Sequence, residues 1–330
     1  MNKKRKTLPK AIFIACEGRS TEKNYFQLIG EIFGDELDYA LTVYPDENEP
    51  KPKSDAVGLV REAISRKDDG FDELWVVFDK DGYTKHEDAF QLAKDNDIKI
   101  AFSSIAFEEW VLLHFERNIY AFSKSDCKDG RKKYICCGTH AREDDCKGSN
   151  CVAGYMREKK YYLGYSKSSE ISIYPFLKDK TGHAILNSAW LRFRLRKEIL
   201  ECGEKLFEIN PFTNVDDLVK RLTGIDESHR FAAFGETIDS DDVSVTFYMV
   251  DGQIRIDFTN KSGNSVVFNQ ITIDSTVEIT GEDKKISATI DNSHLINPGM
   301  SDVIVLNLSE KLTNDLELTF RIENQIYHIK

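Results

Sequence analysis

The chain contains no apolar run approaching the ~18 residues a helix needs to cross a membrane, and no charged-then-apolar leader of the secretory kind. Membrane spanning and secretion are therefore not expected, and the expected location is the cytoplasm. No Gly-rich loop closes on Lys-Ser/Thr, which argues against a nucleotide-driven motor. Net positive charge is absent too, since 45 Lys and Arg stand against 56 Asp and Glu. Cysteine is nearly absent outside one stretch: of seven, only Cys16 and Cys202 lie outside residues 127–151, and none follows Cys202. What remains is an ordinary soluble composition, 41% apolar and 31% charged, in 330 residues that can hold two or three domains.

The formal charge of −11 is unevenly spread. Residues 121–200 sum to roughly +8 and residues 231–330 to roughly −9. A basic middle can hold phosphate within an acidic protein. The plainer alternative is a set of solvated helix faces. The first ten residues, with Lys3, Lys4, Arg5, Lys6 and Lys10, read as a solvated basic tail.

Strand and helix signals alternate over residues 11–120. Strands are expected at Ala11–Ala15, Tyr39–Tyr44, Leu74–Asp79 and Ile98–Phe102. Helices are expected from Thr21 to about Phe33, from a Ser54 cap to about Arg66, near Glu87–Lys94, and over Ile105–Glu116. That order implies a doubly wound parallel sheet with right-handed crossovers. Further on, Ala184–Leu206 reads as one long helix, and Thr213 with Asp216 as a capping box opening a helix to Leu222. Residues 181–226 are expected to complete the first domain.

Carboxylates stand at the ends of these strands. Glu17 follows the first, beside Gly18, and Asp79 and Asp81 end the third, two residues apart so that both point to one face of extended backbone. Glu108 opens the helix after the fourth. If the first, third and fourth strands are neighbours, these acids gather at the carboxyl edge, where clefts form in such sheets. Acids brought together repel unless a cation lies between them, and hard oxygen ligands suit Mg²⁺ or Mn²⁺. Acids simply decorating turns are the competing explanation.

The strings CEGRSTEKNYF (Cys16–Phe26), FDKD (Phe78–Asp81), FEEWVLLHF (Phe107–Phe115) and NPFTNVDDLVKRL (Asn210–Leu222) together resemble the RloB-like proteins, which carry a Toprim domain. The resemblance covers about residues 8–225. It implies a Toprim α/β fold with Glu17 as the lone glutamate, Asp79 and Asp81 as its D-x-D pair, and Glu108 as the acid of the helix motif. Ser104-Ile105 departs from the Asn-Pro that the family places before that helix. The implied activity is metal-dependent hydrolysis of DNA or RNA, tRNA included, in bacterial defence against phage. Toprim folds also serve topoisomerases and primases, but no recognisable nucleophile-tyrosine module is present here.

A second constellation is independent of that resemblance. Cys137, His140, Cys146 and Cys151 form two close ligand pairs with the preference of structural zinc, and Cys127 or Cys136 can substitute for one of them. Free thiols or a regulatory disulfide are the alternatives. Lys128, Arg131, Lys132, Lys133, Arg157, Lys159 and Lys160 surround this insertion (residues 121–180), and Arg192, Arg194 and Arg196 follow it. Zinc would order the insertion as a module that grips phosphates, with Tyr161 and Tyr162 available to stack on bases.

Residues 232–330 change character, with some seven short strands from Val243–Val250 to Gln325–Ile329. They point to an immunoglobulin-like sandwich. Its acidity fits a protein partner or self-association rather than nucleic acid. Two functions therefore stand: a metal-dependent nuclease, or a non-catalytic nucleic-acid sensor that recruits a partner through the sandwich.

Overall fold

Buried apolar strands alternating with one-sided helices build a five-stranded sheet in the first part of the chain. The computed structural model describes residues 9–47, 49–80, 85–122, 151–161, 171–225, 228–250, 253–279, 282–290, 294–307, 317–322 and 325–329. In it β1 (Lys10–Cys16), β2 (Tyr39–Tyr44), β3 (Glu73–Asp79) and β4 (Lys99–Ser104) run parallel in the order β2-β1-β3-β4. The two-residue strand β5 (Phe212–Thr213) adds antiparallel to β4. The registers Cys16↔Val77 and Asp79↔Ser103 bring the carboxyl ends of β1, β3 and β4 side by side.

Helices cover both faces, as a sheet apolar on both sides requires. Ile12, Ile14, Trp75, Val77 and Ala101 share one core with α1 (Thr21–Phe33), α4 (Glu108–Leu113), α5 (Val152–Glu158), α6 (Tyr174–Leu177), α7 (Thr181–Arg194) and α9 (Val215–Thr223). Phe13, Ala15, Val76, Phe78 and Phe102 share the opposite core with α2 (Ala56–Ser65) and α3 (His86–Asp95).

Local details correct several expectations. The long helix is two, α7 and α8 (Arg196–Cys202), separated at Leu195 with φ −96° and ψ 13°. The physical reason is a change of face: Ala184, Ile185 and Leu191 pack in the first core, Ile199 and Cys202 in the second, and Leu195 touches both. Helix α2 is capped by Asp55, whose carboxylate accepts from Gly58 N at 2.8 Å, rather than by Ser54. No capping box forms ahead of α9. Asn214 occupies the N-cap position, and its side chain instead bridges Phe102 N and Ile100 O across to β4. Helix α4 spans six residues, much less than Ile105–Glu116.

The chain divides into two compact units, Met1–Ile225 and Asp226–Lys330. The second consists of β6 (Ser228–Ala232), β7 (Thr237–Asp239), β8 (Val243–Val250), β9 (Gln253–Asn260), β10 (Val266–Ile279), β11 (Glu282–Ile290), β12 (His294–Ile296), β13 (Ser301–Asn307), β14 (Glu317–Ile322) and β15 (Gln325–Ile329). One sheet has the order β11-β10-β14-β15-β6 with β12 beside β10, the other β13-β9-β8-β7. All pairs are antiparallel except β15 with β6. Val245, Phe247, Ile254, Ile256 and Phe258 of one sheet share a core with Val266, Ile296, Leu318, Tyr327 and Ile329 of the other.

Candidate active site

The turn after β1 carries Glu17 to the end of β3. Glu17 N donates to Val77 O at 3.0 Å, and Asp79 N donates to the Glu17 carboxylate at 3.3 Å. Two sequence-predicted acids, 62 residues apart, are thus joined at the carboxyl edge of the sheet. Asp79 is buried, and Glu108, four residues beyond the end of β4, is fully so. Asp81 lies outside the described residues. Among the described residues no three His, Cys, Asp or Glu side chains converge in a metal-holding group.

The backbone at Asp79 is held from three sides. Its own N–H goes to Glu17, Lys80 N donates to Ser103 O at 3.1 Å, and His86 Nε2 lies 3.1 Å from Asp79 O. Two cations close to these acids in sequence are tied to backbone carbonyls elsewhere: Lys80 Nζ reaches Glu208 O at 3.4 Å, and Arg19 donates to Glu49 O at 2.8 Å. Sequence reasoning missed His86, Lys80 and Arg19. No motif spacing marks the histidine, and the two cations had only their adjacency to Asp79 and Glu17.

Glu109 follows Glu108 in sequence but belongs to different surroundings. One carboxyl oxygen accepts from Asn118 Nδ2 at 2.9 Å, and the other has no hydrogen-bond partner. Burial pushes its carboxyl up to about 8 despite that hydrogen bond, and the charge of Glu116 adds to the effect. Glu116 accepts from the hydroxyls of Tyr155 at 2.7 Å and Tyr161 at 2.5 Å. His114 is also fully buried. Its Nδ1 faces Trp110 O at 3.0 Å, and burial pulls it down to about 4, which keeps the ring neutral.

Of the zinc set, Cys137, His140, Cys146 and the substitutes Cys127 and Cys136 lie outside the described residues. Cys151 is buried at the N-cap of α5, and its sulfur accepts from Gly154 N at 3.3 Å.

The basic residues divide in the same way. Lys128, Arg131, Lys132 and Lys133 lie outside the described residues. Arg157 is half-buried, whereas Lys159, over the Tyr155 ring at 5.4 Å, Lys160 and Arg194 are exposed. Arg196 lies over the Phe193 ring at 4.2 Å and donates to Phe193 O. Arg192 is turned inward: its guanidinium makes bidentate bonds of 2.6 and 2.8 Å to the fully buried Asp216. Burial alone would raise the Asp216 carboxyl, but the charge and hydrogen bonds of Arg192 outweigh it and hold it at about 2. A phosphate would have to break this pair to reach Arg192, so that residue belongs to the packing of α7 on α9 rather than to a basic face.

A parallel sheet with helices on both faces defines an open α/β unit, and its candidate site is the carboxyl edge, where such sheets form clefts. The chain belongs to the RloB-like protein family, whose model matches residues 12–222. No curated protein matches it. Solved structures give only faint likenesses. A β-glucosidase from Erythrobacter marinus is 7% identical with a TM-score of 0.24, over 98% of this chain and 47% of that one, so the chain spans about half its length. An inactive OgpA from Akkermansia muciniphila in complex with an O-glycopeptide is 11% identical, TM-score 0.22, over 99% and 93%. A GH30 endoxylanase from Clostridium papyrosolvens C71 is 12% identical, TM-score 0.16, over 88% and 96%. At such scores they carry no argument.

Proposed function

We propose that this protein is a Toprim nuclease that hydrolyses phosphodiester bonds of DNA or RNA with a divalent metal ion, in defence against phage. The observation that carries the reading is the meeting of Glu17 and Asp79 at the carboxyl edge of β1 and β3. Glu17, Asp79, Asp81 and Glu108 would hold Mg²⁺ or Mn²⁺. All four offer hard carboxylate oxygens, the donor set such ions take. When bound, the metal supplies charge stabilisation at the phosphoryl oxygens and an acidified water. Glu17 tethers the two strand ends and is the group placed to accept a proton from that water. Lys80 and Arg19, close in sequence to Asp79 and Glu17, would exchange their carbonyl contacts for substrate phosphates.

The deciding experiment incubates purified protein with Mg²⁺ or Mn²⁺ on plasmid, single-stranded DNA, total RNA and tRNA, beside Glu17→Gln and Asp79→Asn. Cleavage of none of these, or equal cleavage by the variants, would sink the nuclease reading. For the Cys/His segment the reading is one structural zinc per chain. Metal analysis well below one equivalent removes it.

The second unit supports recruitment of a protein partner or self-association in this reading, through an immunoglobulin-like sandwich. Val303 and Val305, 45% and 47% exposed, lie two apart on β13, the end strand of its sheet, with Leu295 and Met300 also exposed. Alternate residues share a face of a strand, and exposed apolar end strands invite pairing. Val303→Lys with Val305→Lys should abolish a dimer seen by light scattering. A wild-type monomer would remove self-association and leave a different protein as the partner sought.

A further inference from the structure

We propose that His86 is a positioning residue for the metal-binding end of β3, fixing the peptide that follows Asp79 so that Asp79 is preorganised for the ion. The inference rests on the proposed metal site and deepens it.

A carbonyl oxygen only accepts, so the 3.1 Å contact between His86 Nε2 and Asp79 O requires the proton on Nε2. The same peptide unit donates through Lys80 N to Ser103 O on β4. Both polar groups of that plane are therefore tied, one to β4 and the other to the first residue of α3. The peptide before Asp79 is tied as well, through Asp79 N to Glu17. With the plane fixed on both sides, the backbone of Asp79 and the direction in which the chain leaves it are set before any ion arrives. A ligand held in place binds its ion more tightly than one that must be ordered on binding.

The ring is itself immobilised. It stacks on Phe207 at 6.1 Å and 20°, and meets Phe78 and Phe102 edge-on or tilted at 6.0 Å. His86 is 4% exposed, so solvent cannot readily replace its hydrogen bond. A residue needed only to fill this aromatic pocket would not have to be a donor, and Phe would serve. The test exploits that difference.

Mn²⁺ binding is measured by calorimetry, without substrate, on the full chain and on His86→Phe, His86→Gln and Asp79→Asn. His86→Phe keeps a flat ring in the pocket and deletes the donor; it should weaken Mn²⁺ binding by about 10–100-fold, the usual cost of losing an outer-shell partner. His86→Gln, whose amide can donate to the same carbonyl, should recover part of the loss. In cleavage assays the defect of His86→Phe should shrink as Mn²⁺ is raised, whereas that of Asp79→Asn should not. Wild-type Mn²⁺ affinity in His86→Phe overturns the proposal even if the variant is less stable. If that variant does not fold, Phe207→Leu leaves the imidazole but unseats it. It should weaken Mn²⁺ in the same direction, and unchanged affinity there is equally fatal. Should wild type and Asp79→Asn bind Mn²⁺ alike, the metal site itself fails. If they differ while His86→Phe matches wild type, the site stands and only the role of His86 falls.

Discussion

Two acidic regions of the first unit treat the same functional group in opposite ways. At the carboxyl edge of the sheet, Glu17 lies across the end of β3 and accepts from the Asp79 backbone amide, so that one acid is fastened to the backbone of another where strands end. Behind α4, Glu109 is sealed with one hydrogen bond from Asn118 and an acidic neighbour, and its carboxyl responds by staying protonated near neutrality. A third acid, Asp216, is as buried as Glu109 yet remains ionised, because the half-buried Arg192 pairs with it and Lys220 lies beside it. A buried carboxyl without a cation gives up its charge, and one with a cation keeps it. In the proposed function the acids at the end of the sheet take a third course and meet a cation that arrives from outside.

The sharpest test of this contrast sets two acids of similar burial against each other. Asp79→Asn should lower phosphodiester cleavage by at least ~10²-fold, the scale expected when a group acting on the reacting centre is lost. Glu109→Gln, isosteric with the protonated side chain, should keep the rate within about threefold. Equal losses in both would erase the distinction between the regions. Next in size is the ion pair. Arg192→Met removes the bidentate partner of Asp216 and leaves Lys220, 3.3 Å away, as its remaining cation. It should cost roughly 1.5–3 kcal/mol in urea unfolding, while Arg192→Met with Asp216→Leu should recover most of that. If the single variant costs under ~1 kcal/mol, Lys220 alone keeps Asp216 charged and Arg192 is not the cation that decides it.

Much of this was legible in sequence because it depends on local signals. Each of β1, β3 and β4 is an apolar run closed by turn or polar residues, and Glu17 needed only the adjacency of β1 and β3 to reach the backbone of Asp79. What escaped depended on partners far along the chain. The peg for β5 is Asn214, whose side chain reaches Ile100 and Phe102. Arg192 reads as one more cation on a basic helix until Asp216, on a different helix, is seen beneath it. The break at Leu195 carries no Gly or Pro, since it is set by the two cores the chain must join. In the second unit the longer alternating strands were readable. The short β6 was not, because the strand it pairs with, β15, lies almost a hundred residues on.

The smallest expected effect is also the most selective for the buried region, since it appears only as a slope with pH. Glu109 has a folded value of about 8 against roughly 4.3 for an unfolded glutamate, so the folded chain holds a proton the unfolded chain has released. Where the native state binds more protons, stability falls as pH rises. The contribution is therefore fully present below about pH 4.3 and is lost progressively up to about pH 8, by an amount on the order of a few kcal/mol. Glu109→Gln cannot release a proton. Its unfolding free energy should track wild type at the acid end of that window and exceed it at pH 8–9. Parallel urea midpoints for the two proteins across pH 5–9 would show that Glu109 ionises freely in the folded chain, and would place it with the open acids at the sheet edge rather than opposite them.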